Sequence, residues 1–500
     1  MRSELSNRHR GDLGGRLSGG RALARVVVRV GQGAATTPAG QHLAWMLVNL
    51  LARQDDEIRE IELDVPDGVE PVGRLSPLVP PGSDLKESLA RGVEEVNPGV
   101  LVPKRGSRTR VSVLVGPGEL EDANFSVAVS AVGWSGYVGR LPAEIIGDDP
   151  NPIGPYVAAC LGAGEVFKHV RAVRPDAGGF VERMWLDAYE MRVREEPAPG
   201  PRLPTQLHSP AAALAGVGAV GSAFLHALYP IQGLKADLTL VDNDPEGIDH
   251  TNLNRYAIFG RAHGEGRYLK ASTAATLMEG SGVNARPVDD SWQAWRAEDP
   301  GRPLGLVISA VDRNKARHAV QDALPRLILG AATNEMRAQV NLYDVLGGGP
   351  CLRCRNRPEE EVPDQAIIDR LRNLGPAERE AEARRVGVDP TNLETFLEDP
   401  RRNCGLVGGA TLQKFSGGSD EVEWAVGFVS VLAGVLLAAE YLKLGLDPNR
   451  TALDATRNTF RFQFWRPDKA SANKVVSTPP ESGCLCGIGA FRRALESLQD

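Results

Sequence analysis

AAALAGVGAVGSAFLHALYP, residues 211–230, decides the fold. Its small-residue run reads as a strand, Gly216, Gly218 and Gly221 as a tight turn, and the apolar stretch beyond them as a helix. A G-x-G-x-x-G between strand and helix lets backbone amides and a helix N-terminus approach a phosphate. The same turn can simply pack a helix on a sheet, so the neighbouring residues have to decide. The next apolar run, LTLVD, ends in Asp242, 26 residues after Gly216, where a carboxylate can hold the ribose of either NAD or ATP. Asn252, Arg255 and Lys270 then supply an amide and two cations, a set suited to a triphosphate rather than a nicotinamide. Asp312 closes the run LGLVISAVD and suits Mg²⁺, which prefers carboxylate and phosphate oxygens.

Working outward, the pattern occurs twice. RVVVRV leads into GQGAATTPAGQHLAWMLVNLL (residues 25–51), again strand, Gly-turn and helix. LKESLARGVEEVNPGV matches YLKASTAATLMEGSGVNARPV, and FSVAVSAVG matches LGLVISAVD. Gly31 to Lys86 is 55 residues and Gly216 to Lys270 is 54; Lys86 to Gly133 is 47 and Lys270 to Asp312 is 42. Each half ends in an apolar helix closing on Glu-x-x-Lys, Glu165–Lys168 and Glu440–Lys443. The first copy has Thr36 where the third glycine belongs, LDVPDGVEPVGRLS in place of VDNDPEGIDHTNLNRY, and Gly133 opposite Asp312. The expected architecture is α/β, two tandem Rossmann-like units, the first decayed and the second intact. The boundaries are an N-terminal arm at 1–21, a first unit at 22–175, a linker at 176–204 that takes in most of the Pro-rich EEPAPGPRLPTQ, and a second unit at 205–500.

Bulk properties fit that plan. At 500 residues the chain is too long for one ordinary core. A net charge of −7 argues against a dedicated nucleic-acid partner. The most apolar run, AVGFVSVLAGVLLAAEYLK, reads as a buried core helix rather than a membrane span, and the basic, Gly-rich N-terminus lacks the apolar stretch of a secretory signal. Six cysteines, four of them in two tight pairs, fit a reducing cytoplasm better than a disulfide scaffold.

GVGAVGS, VDND, NLNR, the lysine of GRYLKAS and AVDRNKAR together resemble the E1/ThiF adenylyltransferase superfamily, the enzymes that activate ubiquitin-like proteins. The resemblance spans about residues 210–490. It implies that Gly216, Gly218 and Gly221 cradle ATP and that Asp242 holds the ribose, with Asp244 in the same site. Asn252, Arg255 and Lys270 would handle the phosphates. Asp312 would position Mg²⁺ while a protein's C-terminal carboxylate attacks the α-phosphate. The first unit would be an inactive adenylation unit fused ahead of the active one, a pseudo-dimer in one chain, with a homodimer also open. Such partners lend an arginine from before their first strand, which makes Arg8 or Arg10 of NRHR the candidate. The build resembles E1-like proteins of bacterial ubiquitin-like conjugation operons, antiviral ones included, and so implies a ubiquitin-like protein and an E2-like protein as partners. A sulfur-carrier or peptide adenylyltransferase without a thioester step is the alternative. An NAD-binding oxidoreductase is the alternative of another class.

The cysteines divide by surroundings. Cys351 and Cys354 of PCLRCRN and Cys484 and Cys486 of SGCLCGIG make two thiolate pairs suited to a tetrahedral structural Zn²⁺ that pins the C-terminal segment. Cys160 lies in an apolar stretch and reads as a small buried hydrophobe. Cys404 in RRNCGLVGG is flanked by two arginines, surroundings that favour a thiolate. Family members place a cysteine in this crossover, and in some it takes the acyl group as a thioester. The charge-rich insertion 355–403 between them, with Ile367, Ile368, Leu371 and Leu374 at helical spacing, reads as short helices forming a lid, a docking surface or a solvated decoration. Phe460, Phe462 and Phe464 alternate as a half-buried strand would, and Trp292 and Trp295 read as packing residues of a loop.

Overall fold

The computed structural model describes residues 23–498 apart from 55–56, 79, 81, 104–108, 173–177, 246, 355, 357–363, 401–406, 408–411, 413–414, 417–425 and 448–450. The valine-rich run RVVVRV forms β1 (Ala24–Val30) at the heart of the first sheet. Around it stand β2 (Ile58–Asp64), β3 (Thr109–Val115), β4 (Phe125–Val132), β5 (Ser135–Gly139), β6 (Met184–Asp187) and β7 (Arg192–Arg194). The order is β2-β1-β3-β4-β5-β6-β7, parallel as far as β4 and antiparallel beyond it. Four helices accompany it: α1 (Gln32–Ala35), α2 (Pro38–Ala52), α3 (Leu85–Val96) and α4 (Ile153–Val170). Helix α2 starts on a Thr37 cap that accepts the Gly40 amide, with proline in its first turn. Every residue from Ala39 to Ala52 is buried, as befits a helix that is apolar all round.

The second sheet repeats the plan with an added edge. Its strands are β8 (Leu207–His208), β9 (Ala212–Ala215), β10 (Leu234–Val241), β11 (Val283–Val288), β12 (Leu306–Ser309), β13 (Leu327–Asn334), β14 (Arg337–Tyr343), β15 (Thr459–Gln463) and β16 (Lys474–Val476). The order is β11-β10-β9-β12-β13-β14-β15-β16, with β8 pairing β10. It is parallel from β11 to β13 and antiparallel from β13 to β16. With it run α5 (Ala219–Leu228), α6 (Arg261–Gly266), α7 (Lys270–Leu277), α8 (Trp292–Glu298) and α9 (Asn314–Asp322).

Residues 358–422 form a compact unit of their own. It holds α10 (Asp364–Asn373), α11 (Pro376–Val386) and α12 (Pro390–Glu398), built around Ile367, Ile368, Leu371, Leu393 and Phe396. The short helices expected from the spacing are present. Two helices follow, α13 (Gly427–Leu446) and α14 (Gly489–Ser497). By length and composition α13 could cross a membrane, but it is buried from Gly427 to Lys443 and serves as core. One apolar core joins both sheets, with Phe167 of α4 packed on Phe428 of α13 at 5.4 Å between ring centroids.

Strand register corrects the pairing of SAVG with SAVD. Ala215 at the end of β9 lies opposite Val241 on one side and Ser309 on the other. In the first sheet Val30 lies opposite Val115, and Arg29 opposite Asp64, which sets Val30 beside Val65. Counting on from these pairs, Asp242 corresponds to Pro66 and Asp312 to Gly118. The SAVG strand β4 is one place further out, where the second sheet has β13. Both turn back through two-residue hairpins, at Gly133 with φ +56° and at Glu335 with φ +50°. Strands flanked on both sides by others converge on small and β-branched residues, so a shared Ser-Ala-Val does not mark a shared position.

Two further expectations change. The stretch 176–204 is not all linker, because β6 and β7 lie in it and extend the first sheet. Trp292 and Trp295 sit in helix α8, ring centroids 5.0 Å apart, rather than in a loop. Phe460, Phe462 and Phe464 are buried as expected, and so is Cys160.

Candidate functional site

The chain leaves β9 towards β10 and β11 and later returns on the other side as β12 and β13. Open α/β sheets take ligands at such a switch point, outside the carboxyl ends of the strands. Gly216 follows β9 with φ +90°, and a Cβ there would lie 2.9 Å from the Ala310 oxygen. At Gly221, one turn into α5, a Cβ would lie 2.1 Å from the Gly216 oxygen, so only glycine lets this helix meet its turn. Gly218 caps α5 and differs: the nearest atom to its would-be Cβ is the Tyr256 hydroxyl at 3.9 Å. The positive end of a ten-residue helix thus faces open space.

Asp242 follows β10 and is tied to this turn. Its Oδ2 accepts the Val217 amide at 2.7 Å and its Oδ1 the Asp244 amide at 3.1 Å. Burial raises its carboxyl above the ordinary aspartate value, against the pull of Lys270 and the two amides. Lys270 opens α7, is nearly inaccessible, and donates to Asp244 Oδ2. Burial alone would depress its ammonium, but Tyr256, Asp242 and Asp244 outweigh it and the value is raised, so Lys270 is a cation at any working pH.

Arg255 is the second buried cation. Its Nη2 donates to Asn252 Oδ1 at 2.5 Å and its Nη1 to Asn254 Oδ1 at 3.1 Å. Both cations stand over the Tyr256 ring, the guanidinium at 5.2 Å and the ammonium at 5.4 Å from its centroid. One aromatic ring therefore gathers two positive charges beside a helix N-terminus, an arrangement whose chemistry suits a polyanion. Asp312 is exposed three residues past β12, in a loop whose Ala310 and Val311 pack on Gly216.

The structure brings Asp242, Asp244, Asn252, Arg255 and Lys270 together around the glycine turn. Asp244 serves there as the partner of Lys270. Arg8, Arg10 and Cys404 lie outside the described residues. Sequence reasoning missed Tyr256 and Asn254, although both lie in the NLNRY it quoted. It also missed a polar cavity of about 240 Å³ lined by Ser309, Arg317, Gln339, Asn341, Thr459 and Arg461. Gln339 pairs with Arg461 and Asn341 with Thr459 across β14 and β15. Their signal was polar residues alternating with buried Ala338, Val340 and Leu342 on a central strand.

A second cluster stands apart. Cys351, Cys354, Cys484 and Cys486 place all four sulfurs within 4.8 Å of one another, a group able to hold a metal ion. Cys351 lies 3.4 Å from Cys484 and 3.8 Å from Cys354, and Cys354 lies 3.5 Å from Cys486. The Cys351 and Cys486 thiols and the Glu481 amide hold Cys354 below the usual thiol value, towards thiolate.

The ThiF family profile matches residues 197–485, and the BilD N-terminal domain profile matches residues 25–184. The protein named "Uncharacterized protein y4jF" of Sinorhizobium fredii (strain NBRC 101917 / NGR234) is 27% identical over 507 residues, covering 94% of this chain and 92% of that one. Among solved structures, E. coli MccB with AMPCPP and selenomethionine MccA is 13% identical, covering 55% of this chain and 66% of that chain, with a TM-score of 0.33. E. coli MccB with succinimide has the same identity and TM-score and is covered over 65% of its chain.

Proposed function

The chain belongs to the ThiF family, the E1-type adenylyltransferases, and from that premise we propose that it uses MgATP to adenylate the C-terminal carboxylate of a ubiquitin-like protein. The observation that carries this reading is the pair of buried cations, Arg255 and Lys270, around Tyr256 at the open end of the Gly216–Gly221 turn. The turn amides and the two cations neutralise the triphosphate, and Asp242 and Asp244 border the nucleoside side. Asp312, exposed at the mouth, holds the Mg²⁺ that arrives with ATP and balances charge on the leaving pyrophosphate. A carboxylate oxygen of the substrate attacks the α-phosphorus, the α–β phosphoanhydride bond breaks, and an acyl-adenylate and pyrophosphate result. Positioning and charge neutralisation lower this barrier without covalent work by the protein. The polar cavity beside Ser309 suits an extended peptide tail, with Gln339 and Asn341 available to its amides.

In the second step the Cys404 thiolate attacks the acyl carbon and AMP leaves, giving a thioester that an E2-like partner can take. The first unit is an inactive copy, since Pro66 and Gly118 stand where the second has Asp242 and Asp312. The four thiols would hold a structural Zn²⁺ that pins the C-terminal segment, and sulfur separations of 3.4, 3.5 and 3.8 Å suit thiolates sharing one ion. The enzyme works in the cytoplasm, within a bacterial ubiquitin-like conjugation system.

The test is intact mass after incubation with MgATP and the small-protein fraction of the host, for wild type, Cys404→Ala and Lys270→Ala. The expected result is a reductant-labile adduct of carrier size in wild type, lost in both variants. Pyrophosphate release with no adduct would sink the Cys404 step and favour the sulfur-carrier or peptide alternative. Neither signal would sink adenylation.

A further inference from the structure

The segment that bears Arg255 and Tyr256, Leu253–Phe259, follows a short 3₁₀ turn ending at Asn252 and is a run of turns rather than a helix or strand. Its own N–H groups bond locally, Arg255 and Tyr256 to the Asn252 oxygen and Phe259 to the Tyr256 oxygen. The Leu253, Ala257 and Phe259 oxygens need partners from elsewhere, because a buried backbone oxygen left unpaired is destabilising. They come from the first half of the chain. Arg53, the residue that caps the C-terminus of α2, reaches across with Nη1 to the Leu253 oxygen at 2.5 Å. Its Nη2 donates to the oxygens of Ala257 at 3.2 Å and Phe259 at 2.9 Å. Its Nε is held by Asn49 Oδ1 at 2.8 Å, and Asn49 Nδ2 in turn donates to the Ala257 oxygen at 3.1 Å. Both side chains are buried. From another direction α13 presses on the same turn, where a Cβ at Gly427 would lie 2.6 Å from the Asn254 oxygen.

We propose that Arg53, with Asn49, is a positioning residue for the nucleotide site, acting through Arg255 and Tyr256 by fixing the backbone that carries them. The inference rests on the reading that Arg255 binds the ATP phosphates. A planar guanidinium with a fixed fork of donors suits three carbonyls in different directions, which a point-like ammonium cannot span. Burial lowers its pKa to about 9, so Arg53 remains a cation at neutral pH, set among neutral oxygens. A buried charge is expensive, and one aimed wholly at the backbone of a phosphate-binding turn has its use in holding that turn. The half of the chain without site carboxylates thereby takes part in the site of the other.

The experiment is calorimetric titration of the full chain with MgATP, arranged as a double-mutant cycle of Arg53→Met and Arg255→Ala. Arg53→Met is expected to weaken MgATP about tenfold or more in the wild-type background and less than about threefold when Arg255 is already alanine. Equal losses in the two backgrounds would overturn the route through Arg255, and wild-type affinity in a folded Arg53→Met would overturn the role altogether. Should Arg53→Met not fold, Asn49→Leu carries the same cycle, because it removes one carbonyl contact and the brace on Nε. A wild-type chain that does not bind MgATP would bring down the proposed function and this inference with it, an outcome distinct from the other two.

Discussion

Two histidines sit in the seam between the halves, and their protonation sets an acid limit on the fold. His42 of α2 faces Tyr156 of α4 at 6.2 Å between ring centroids, and Tyr156 faces His226 of α5 at 5.4 Å. Trp45 Nε1 donates to His226 Nε2 at 3.4 Å, while the Nδ1 atoms of both histidines have no partner among the described residues. Burial lowers His42 to about 4. Burial, with the charges of Arg53 and His42, lowers His226 to about 3. Both are neutral in the folded chain and become protonated far more readily when unfolded, where the value is about 6.5. The stability they represent is therefore complete above pH 6.5 and is lost as pH falls towards the folded values. At pH 5, above both of those, the loss depends almost wholly on the unfolded value, about 2 kcal/mol for each histidine and about 4 kcal/mol together. The assay is urea unfolding followed by tryptophan fluorescence at pH 7.5 and pH 5.0, for wild type and for His42→Leu/His226→Leu. Other groups titrate over this range in both proteins, so the quantity that counts is the difference between the two pH losses. It should be about 4 kcal/mol smaller in the double variant. Equal losses in the two proteins would refute the argument, whatever the baseline effect of depriving Trp45 of its acceptor.

Two more predictions concern the glycine turn and the thiol cluster. Gly221→Ala meets the Gly216 oxygen and should destabilise by about 1–3 kcal/mol, seen as a lower melting temperature, whereas Gly218→Ala enters open space and should leave melting unchanged while weakening MgATP in a binding titration. Removing metal with a strong chelator should release about one zinc per chain, measured by elemental analysis, and expose the segment around α14 to proteolysis, since two of the four thiols stand just before that helix.

Much of the second half could be read from its sequence because its signals are local. A glycine turn, an acidic residue after the next strand and a lysine opening a helix are each defined within a few residues of chain. The C-x-x-C and C-x-C pairs announced themselves the same way, and the structure gathers all four sulfurs. What failed was comparison by composition across distance. Ser-Ala-Val at residues 130–132 and 309–311 belongs to strands in different places, and only hydrogen-bonded register tells them apart. Arg53 was invisible for a related reason. In LARQDDE it reads as an ordinary charged residue at the end of a helix, and its partners are backbone oxygens 200 and more residues away. Backbone acceptors carry no residue identity, so no pattern of side chains could have pointed to them.

Contacts across the seam tie the half of the chain that holds the first sheet to the half that holds the second. Each half buries a cation in the backbone of the other. Arg53 of the first half holds the turn at Leu253, Ala257 and Phe259. Lys443 of the second half donates to the oxygens of Ala188 and Tyr189, beside its partner Glu440. A buried charge whose partners are removed is strongly destabilising, so each cation fixes the place at which the two halves meet. The pairs also differ in what they fix. Lys443 anchors the turn between β6 and β7, far along the chain from any residue proposed to touch nucleotide. Arg53 anchors the turn that bears Arg255. Under the proposed reading of Arg255 as a phosphate-binding residue, the first half contributes through α2, whose end holds the turn that carries that arginine.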